Sequence, residues 1–292
     1  MKLVIDNVSK SFKNKHALQN FTAELTNGVY GLLGPNGSGK STLMRILADI
    51  SKPTSGRVLL NDTDISLMGD DYREIIGYLP QDFGVYKHFT ATRFLQYFAS
   101  LKGLDRTYTK NKINEVLELV NLTEHKKQRV GTFSGGMKRR LGIAQALLND
   151  PKILIVDEPT AGLDPQERVR FRNLLSEISS DRIVLISTHI VSDIEYIAKE
   201  ILLLKEGILL QQSSLEWLLL NVQGKVWTIN VQENELATIQ KQFKVGNIQR
   251  GANGIQCRIV HNGKPLPSAK EAPATLEDVY LYYFDDEVTA DV

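Results

Sequence analysis

The chain has 292 residues, of which 42% are hydrophobic and 24% are charged, a composition that is ordinary for a globular protein with a sizeable core. Its 35 Lys and Arg residues nearly balance its 34 Asp and Glu residues, so nothing calls for a nucleic-acid partner, which usually requires a basic face. The single cysteine, Cys257, excludes an internal disulfide and fits a reducing compartment such as the cytosol. Its alternating surroundings predict a small buried strand residue.

The apolar segments of the chain are all short. Residues Met1–Val8 have the pattern of a strand rather than of a secretory signal. Apolar runs such as Ile201–Leu204 are flanked by charge and fall far below the ~20 residues that are needed to span a bilayer. Any membrane role is therefore expected to depend on another chain.

The first two thirds of the chain alternate short β-rich runs with helical patterns, which predicts an α/β core. The predicted elements before residue 90 are the strand Val29–Leu33, the helix Leu43–Ile50 and the strands Arg57–Leu60 and Ile75–Leu79. Apolar residues recur at helical spacing between about 90 and 126, which predicts a helical insert. Lys152–Val156 and Arg182–Ser187 then carry apolar runs without polar alternation, as buried parallel strands do.

A glycine-rich loop follows the strand Val29–Leu33 with the spacing G-x-x-x-x-G-K-[ST] of a phosphate-binding loop. Its glycines allow N–H groups to converge on an anion, and the helix that follows adds its positive end. Lys40 is predicted to reach the β- and γ-phosphates of a nucleotide and Ser41 to offer its hydroxyl to Mg²⁺. A chance glycine turn would not need a strand before it and a helix after it. The predicted nucleotide-binding residues of the loop are Gly34, Pro35, Asn36, Gly37, Ser38, Gly39, Lys40, Ser41 and Thr42.

Two carboxylates follow the apolar run that ends at Val156. In enzymes with a phosphate loop an aspartate at this position holds the Mg²⁺ shell, and Asp157 fits that role. Glu158 is placed to orient or deprotonate the attacking water, and Pro159 ends the strand because it lacks an N–H donor. Taken alone, the pair would fit a solvated Asp-Glu turn equally well; beside a phosphate loop, the catalytic interpretation is favoured.

The segment Phe133-Ser134-Gly135-Gly136-Met137 resembles the signature motif of the ABC ATPase family, usually Leu-Ser-Gly-Gly-Gln. It precedes a predicted helix over 138–148, so that Ser134 and the N–H groups of Gly135 and Gly136 would form a second anion site. The resemblance implies a head-to-tail dimer in which the signature of one subunit covers the γ-phosphate that the other subunit binds. Met137 replaces the usual glutamine but leaves the anion-binding atoms unchanged.

The resemblance, which covers about residues 2–212, assigns roles to four further residues. Gln81 resembles the glutamine that touches Mg²⁺ and the membrane subunit, and Asp164 the aspartate that communicates across the dimer. His189 resembles the histidine at the γ-phosphate and joins Lys40 and Glu158 in the predicted catalytic set. Phe12 stands where an aromatic ring, more often tyrosine, stacks on adenine. Taken alone, Gln81 could be any polar loop residue, His189 a satisfied structural histidine and Phe12 a core residue.

The predicted fold is an α/β phosphate-loop NTPase core with a β-rich N-terminal part and a helical subdomain, followed by a small α+β accessory domain. We assign residues 1–216 to an ABC ATPase domain, with the helical subdomain at about 88–150, and residues 217–292 to the accessory domain. A helix over 213–220 is predicted to begin with a capping box of Ser213 and Glu216. The other predicted accessory elements are the strands Val226–Val231 and Ile255–Val260 and the helix Thr275–Phe284.

The basic runs Lys126-Lys127 and Lys138-Arg139-Arg140 are predicted to form solvated or phosphate-facing surface rather than a nucleic-acid site, given the balanced charge. The form of the signature and the ending over 274–280 are similar to the bacterial ABC-2 export branch. That similarity implies ATP and Mg²⁺ as cofactors, a homodimer or heterodimer of ATPase subunits, and a polytopic membrane partner at the inner face of the cell membrane. An importer ATPase and a soluble ABC ATPase of translation or DNA repair are the alternatives. The translation type usually carries two cassettes, and the repair type a long coiled coil that this chain has no room for.

Overall fold

The computed structural model describes residues 1–13, 15–160, 162–251 and 254–284. It divides the chain into two compact units, Met1–Gln212 and Ser213–Val292. This division lies a few residues before the boundary predicted after residue 216, because the helix Leu215–Val222 belongs to the second unit. Ala161 of the motif that precedes Asp164, and residues 285–292 of the predicted accessory domain, lie outside the described residues.

The elements of the first unit are given within the described ranges. Its strands are β1 (Lys2–Phe12), β2 (Lys15–Thr26), β3 (Gly28–Leu33), β4 (Ser55–Leu60), β5 (Thr63–Asp64), β6 (Ile76–Leu79), β7 (Ile153–Asp157), β8 (Ile183–Ser187), β9 (Glu200–Lys205) and β10 (Ile208–Ser213), which ends at the boundary. Its helices are α1 (Lys40–Leu47), α2 (Ile65–Met68), α3 (Asp70–Glu74), α4 (Ala91–Leu101), α5 (Arg106–Leu119), α6 (Gly135–Ala146), α7 (Pro165–Ile178) and α8 (Ser192–Glu195).

The strands of the first unit form two sheets. One has the order β2-β1-β4-β5 with antiparallel pairs, and the other has the order β10-β9-β3-β8-β7-β6. In the second sheet the pairs from β9 to β6 are parallel, and every residue of β7 and β8 is buried, which explains their unbroken apolar runs. Because parallel strands end at the same edge, the loops after β3, β6, β7 and β8 meet there.

The predicted helical subdomain contains α4, α5 and α6. At the N-cap of each helix, a side-chain oxygen accepts a hydrogen bond from a backbone N–H of the first turn. The N-cap is Thr90 in α4, Asp105 in α5 and Ser134 in α6. The apolar faces of α4 and α5 are buried, as their helical spacing predicts. No helix in the described part of the chain is long and apolar enough to cross a bilayer.

The second unit is an α+β fold with its own core. Its described elements are α9 (Leu215–Val222), β11 (Val226–Val231), α10 (Glu233–Gln242), β12 (Lys244–Gly251), β13 (Gly254–Val260), β14 (Lys270–Glu271) and α11 (Leu276–Phe284). The strands form an antiparallel sheet of order β12-β13-β11-β14. Cys257 is buried in β13, as predicted. The predicted capping box of Ser213 and Glu216 is wrong: Ser214 is the N-cap, and its hydroxyl accepts from the N–H of Trp217.

Candidate nucleotide-binding and catalytic site

The predicted phosphate loop lies between β3 and α1, at the edge where the parallel strands end. Gly37 and Gly39 have φ angles of 79° and 109°, which side chains disfavour. A Cβ on Gly39 would also lie 2.4 Å from the carbonyl oxygen of Ala17. Glycine at these positions therefore lets the chain turn tightly into α1, whose first N–H groups have no partner within the helix and suit an anion.

Lys40, the first residue of α1, is only 8% exposed. Its ammonium donates to the carbonyl oxygens of Gly34 at 2.7 Å and Pro35 at 3.0 Å. Burial lowers the pKa of Lys40, and the negative charges of Glu158 and Asp157 oppose that shift. The loop thus contains a buried cation that is held by neutral carbonyls. The hydroxyl of Ser38 is buried there without a hydrogen-bond partner among the described residues, which leaves a donor for a ligand.

Asp157 and Glu158 lie at the end of β7 and are 3% and 7% exposed. The hydroxyl of Ser187, at the end of the neighbouring β8, donates to Asp157 Oδ1. Glu158 has a φ of 51°, a left-handed conformation that costs an ordinary residue about 1–2 kcal/mol. Its N–H donates to the Ser187 carbonyl oxygen at 3.0 Å. The end of β8 therefore holds both residues of the acidic pair.

The Glu158 carboxylate faces the loop after β8. Its Oε2 lies 2.6 Å from His189 Nδ1 and 3.5 Å from His189 N, and the imidazole side chain is 64% exposed. A carboxylate can only accept, so Nδ1 carries the hydrogen of this bond. The hydroxyl of Thr160 also donates to the buried carboxylate of Asp193, which joins the loops after β7 and β8. The structure thus brings Glu158 and His189 together, with the Lys40 charge close by.

The residues predicted to hold Mg²⁺ are Ser41, Gln81 and Asp157. Hydroxyl, amide and carboxylate oxygens are the hard donors that this ion accepts, together with phosphate oxygens and water. The Ser187 hydroxyl donates a hydrogen bond to Oδ1 of Asp157, so Oδ2 is the oxygen that would bind the metal ion. This donor set fits the ion, and the assignment stays a prediction.

The signature turn lies on the surface of the protomer. Ser134 and Gly135 are exposed, and Ser134 Oγ accepts from Met137 N at 3.1 Å, which begins α6. A Cβ on Gly135 would meet no atom within 4 Å, whereas one on Gly136 would lie 3.3 Å from Leu163. Within the described residues no hydrogen bond links Ser134 to the phosphate loop of the same chain. The turn instead presents a helix start to the outside.

Asp164, Gln81 and Phe12, which the resemblance also singled out, are exposed. Asp164 is the N-cap of α7, and its carboxylate accepts from Glu167 N at 2.9 Å. Gln81 is exposed in the loop after β6. Phe12 is 52% exposed at the end of β1, and the Lys10 ammonium lies 5.1 Å from its ring centroid. An exposed ring remains accessible for stacking, so the predicted adenine contact stays open.

Two residues at this site were not predicted. Arg139 was expected on a solvated or phosphate-facing surface, which is wrong: it is 6% exposed and lies against the loops after β6 and β7. No local pattern indicates this, because the acceptors are backbone carbonyls. The hydrogen bond from Ser187 to Asp157 was also not predicted. The sequence did contain a signal for it, because Ser187 is a polar residue at the end of an apolar strand.

The fold and the loop geometry define a phosphate-loop nucleotide-binding protein. A solved structure, the dimeric post-hydrolysis state of the ATP-binding cassette MJ0796 bound to ADP and Pi, is 25% identical, with a TM-score of 0.67 over 73% of this chain and 98% of that one. The family model described as ABC transporter matches residues 18–161. The ABC transporter ATP-binding protein YxlF of Bacillus subtilis (strain 168) is 34% identical, with 96% of this chain and 98% of its own covered.

The Bacitracin transport ATP-binding protein BcrA of Bacillus licheniformis is 33% identical, with 85% of this chain and 81% of its own covered. The chain belongs to the ABC transporter family, as an ATP-binding subunit. The family and the fold predicted from the signature motif are confirmed. The roles of the individual site residues remain predictions.

Proposed function

We propose that this chain hydrolyses ATP and thereby energises export through a separate membrane-spanning partner. The observation that carries the proposal is the Glu158 carboxylate, buried at the end of β7 and 2.6 Å from His189 Nδ1. A carboxylate in this position, beside a phosphate loop with a buried lysine, has the geometry of a group that positions water for attack on a γ-phosphate.

The residues of the nucleotide site in one protomer have separate roles in hydrolysis. The loop from Gly34 to Thr42 binds the triphosphate, and the Lys40 ammonium exchanges carbonyl contacts for phosphate oxygens as negative charge develops. Glu158 orients the water and accepts its proton, while His189 holds the carboxylate and contacts the γ-phosphate. Mg²⁺, held by Ser41, Asp157 and Gln81, would neutralise phosphate charge when bound.

Two ATPase subunits complete each site between them. In the described part of the chain the exposed Ser134 turn forms no hydrogen bond with its own phosphate loop, and its Oγ caps the start of α6, a position that suits the γ-phosphate of a neighbour. Asp164, at the exposed start of α7, would lie across the same interface. The dimeric form of the MJ0796 cassette supports this arrangement. The second subunit is a copy of this chain or a related ATPase.

The proposed transport runs through a separate membrane-spanning partner, as the resemblance to ABC transporter ATP-binding subunits implies. The name of BcrA, a transport ATP-binding protein, supports a transport role. The similarity of the signature and of the segment 274–280 to the ABC-2 branch favours export over import. Gln81 and the adjoining helical subdomain would transmit closure to the partner, at the inner face of the membrane.

The catalytic part of this proposal is tested with Glu158→Gln. We expect ATP binding to persist and turnover to fall by about 10²- to 10⁴-fold, the usual contribution of a general base. Glu177→Gln, which changes an exposed carboxylate of α7, is the matched control and should hydrolyse ATP normally. Binding is measured by calorimetry and turnover by phosphate release. Undiminished hydrolysis by Glu158→Gln would refute the role of this carboxylate.

The transport part is tested by co-purification of the tagged chain with a polytopic membrane protein from detergent-solubilised membranes. We expect a detergent-stable complex whose ATPase rate exceeds that of the isolated chain and disappears with Glu158→Gln. A chain that forms no such complex would favour a soluble ABC ATPase. Uptake rather than release of substrate by reconstituted vesicles would favour the importer alternative.

A further inference from the structure

Arg139 is the buried cation of the signature helix. It lies one turn after Gly135 and Gly136 in α6, and only 6% of its surface is exposed. Within the described ranges it forms no ion pair with a carboxylate. A buried charge is costly unless its donors are all satisfied, so the partners of this guanidinium indicate what it does.

On one side, Arg139 binds the loop that follows β6. Its Nη1 donates to the carbonyl oxygens of Pro80 at 3.1 Å and of Gln81 at 2.7 Å. Gln81 is the residue that the proposed function places between the Mg²⁺ shell and the membrane partner. The guanidinium thus contacts the backbone of this residue directly.

On its other side, Arg139 binds the end of β7. Its Nη2 donates to the carbonyl oxygens of Asp157 and Glu158, and its Nε donates to that of Pro159 at 3.3 Å. All five N–H donors of the guanidinium are therefore used, each on a backbone carbonyl. Burial lowers the pKa of Arg139, and the nearby charges of Asp157 and Glu158 oppose that shift. An arginine nevertheless stays charged.

We propose that Arg139 is a positioning residue for ATP hydrolysis: it joins the start of the signature helix, the Gln81 loop and the Glu158 backbone, so that these three segments move together. The inference rests on the proposed ATPase function. Glu158 needs such support because its left-handed backbone is strained. A shift of the Gln81 loop by a partner would then reach the catalytic carboxylate through one side chain.

Arg140, the next residue of the same helix, provides a matched control. Its Nε lies 3.2 Å from a Glu167 carboxylate oxygen, and its Nη1 donates to the carbonyl oxygens of Val120 and Asn121. These contacts join α6 to α5 and α7 but involve none of the residues that bind Arg139. Lysine in either position keeps the charge and loses the planar set of five donors.

The test compares Arg139→Lys and Arg140→Lys in the purified full-length chain, below the unfolding temperature of both. We expect Arg139→Lys to lower kcat about 100-fold, the effect of a displacement of roughly 1 Å at a catalytic group, with KM for ATP changed less than about threefold. Arg140→Lys should keep kcat within about twofold of wild type, since its contacts avoid the site. Arg139→Gln serves as a second variant if the lysine variant does not fold.

A double-mutant cycle separates positioning from general stabilisation. If Arg139 acts through Glu158, Arg139→Lys should change the residual single-turnover rate of Glu158→Gln by less than about threefold. Two results would overturn the inference and leave the ATPase proposal intact. One is that Arg139→Lys and Glu158→Gln lower the hydrolysis rate by independent factors that multiply in the double variant. The other is that Arg139→Lys has the same kcat as the wild type. Absence of hydrolysis in the wild type would overturn both.

Discussion

The nucleotide site and the accessory unit each hold a cation that is at least half-buried, but with different partners. In the site, the hydrogen bonds that Lys40 and Arg139 donate to described residues all go to backbone carbonyls. In the accessory unit, Arg258 donates to the carbonyl oxygen of Pro273 but also forms a bidentate pair with the Asp278 carboxylate, at 2.8 and 2.7 Å, and Asp278 is 1% exposed. Thr275 donates to the same carboxylate through its N–H and its hydroxyl, both at 2.7 Å.

The two arrangements suit different tasks. Carbonyl dipoles satisfy the donors of a cation but do not cancel its charge, so Lys40 remains available to an anionic ligand. A carboxylate cancels the charge and fixes two elements in place, here the strand β13 and the start of α11. The Arg258–Asp278 pair therefore stabilises the fold of the accessory unit, and the carbonyl-bound Lys40 keeps its charge at the phosphate loop.

The nucleotide-site half of this comparison is tested by the effect of Lys40→Ala on nucleotide affinity. A hydrogen bond to a charged group contributes about 1.5–3 kcal/mol, so we expect ATP to bind about 10- to 100-fold more weakly. Lys241→Ala, which removes an exposed lysine of the accessory helix α10, should bind ATP as the wild type does. Calorimetry measures both. Equal affinity for Lys40→Ala and wild type would contradict the assignment of the phosphate loop.

The converse change is Asp278→Asn, which leaves Arg258 without a charged partner. Removal of one member of a buried pair costs about 3 kcal/mol, and only the accessory unit should lose stability. Trp217 and Trp227, the two tryptophans of the chain, both lie in that unit, so their fluorescence in a urea titration reports its unfolding. ATP hydrolysis below the transition should be unchanged.

Asp70→Asn is the control for that titration. Asp70 pairs with Arg73, but its side chain is 91% exposed, and such surface pairs contribute little. A tryptophan transition that shifts equally with Asp70→Asn and Asp278→Asn would show that the accessory pair has no special role in stability.

The smallest expected effect is a loss of stability of the accessory unit at acidic pH. Burial alone would raise the pKa of Asp278, but the hydrogen bonds from Arg258 and Thr275 outweigh it, so its pKa lies below 3.8. A carboxylate with a depressed pKa stabilises the folded unit above its unfolded pKa, and this contribution is lost as the pH falls through the folded value. The tryptophan transition should therefore weaken below about pH 4 in the wild type. A wild type with the same pH profile as Asp278→Asn would contradict the assignment.

Short contiguous patterns predicted most of the ATPase core. The strand, glycine loop and helix around Lys40, and the apolar run that ends at Asp157, lie where their patterns placed them. Boundaries were less reliable: the accessory helix begins after Ser214 rather than Ser213, because both serines satisfy the same local preference. Which of them caps the helix depends on the direction from which the chain enters it.

The amino-acid sequence by itself determined the family, the nucleotide loop and the order of the strands along the chain, because each depends on neighbouring residues or on a regular apolar period. Only the tertiary structure decided which residues contact Arg139 and Asp157, because these partners are many residues away from them in the chain. The sequence of a basic run such as Lys138-Arg139-Arg140 does not show whether an arginine in it binds water or backbone carbonyls. Packing of α6 against the ends of the parallel strands makes that choice, since it excludes water from Arg139.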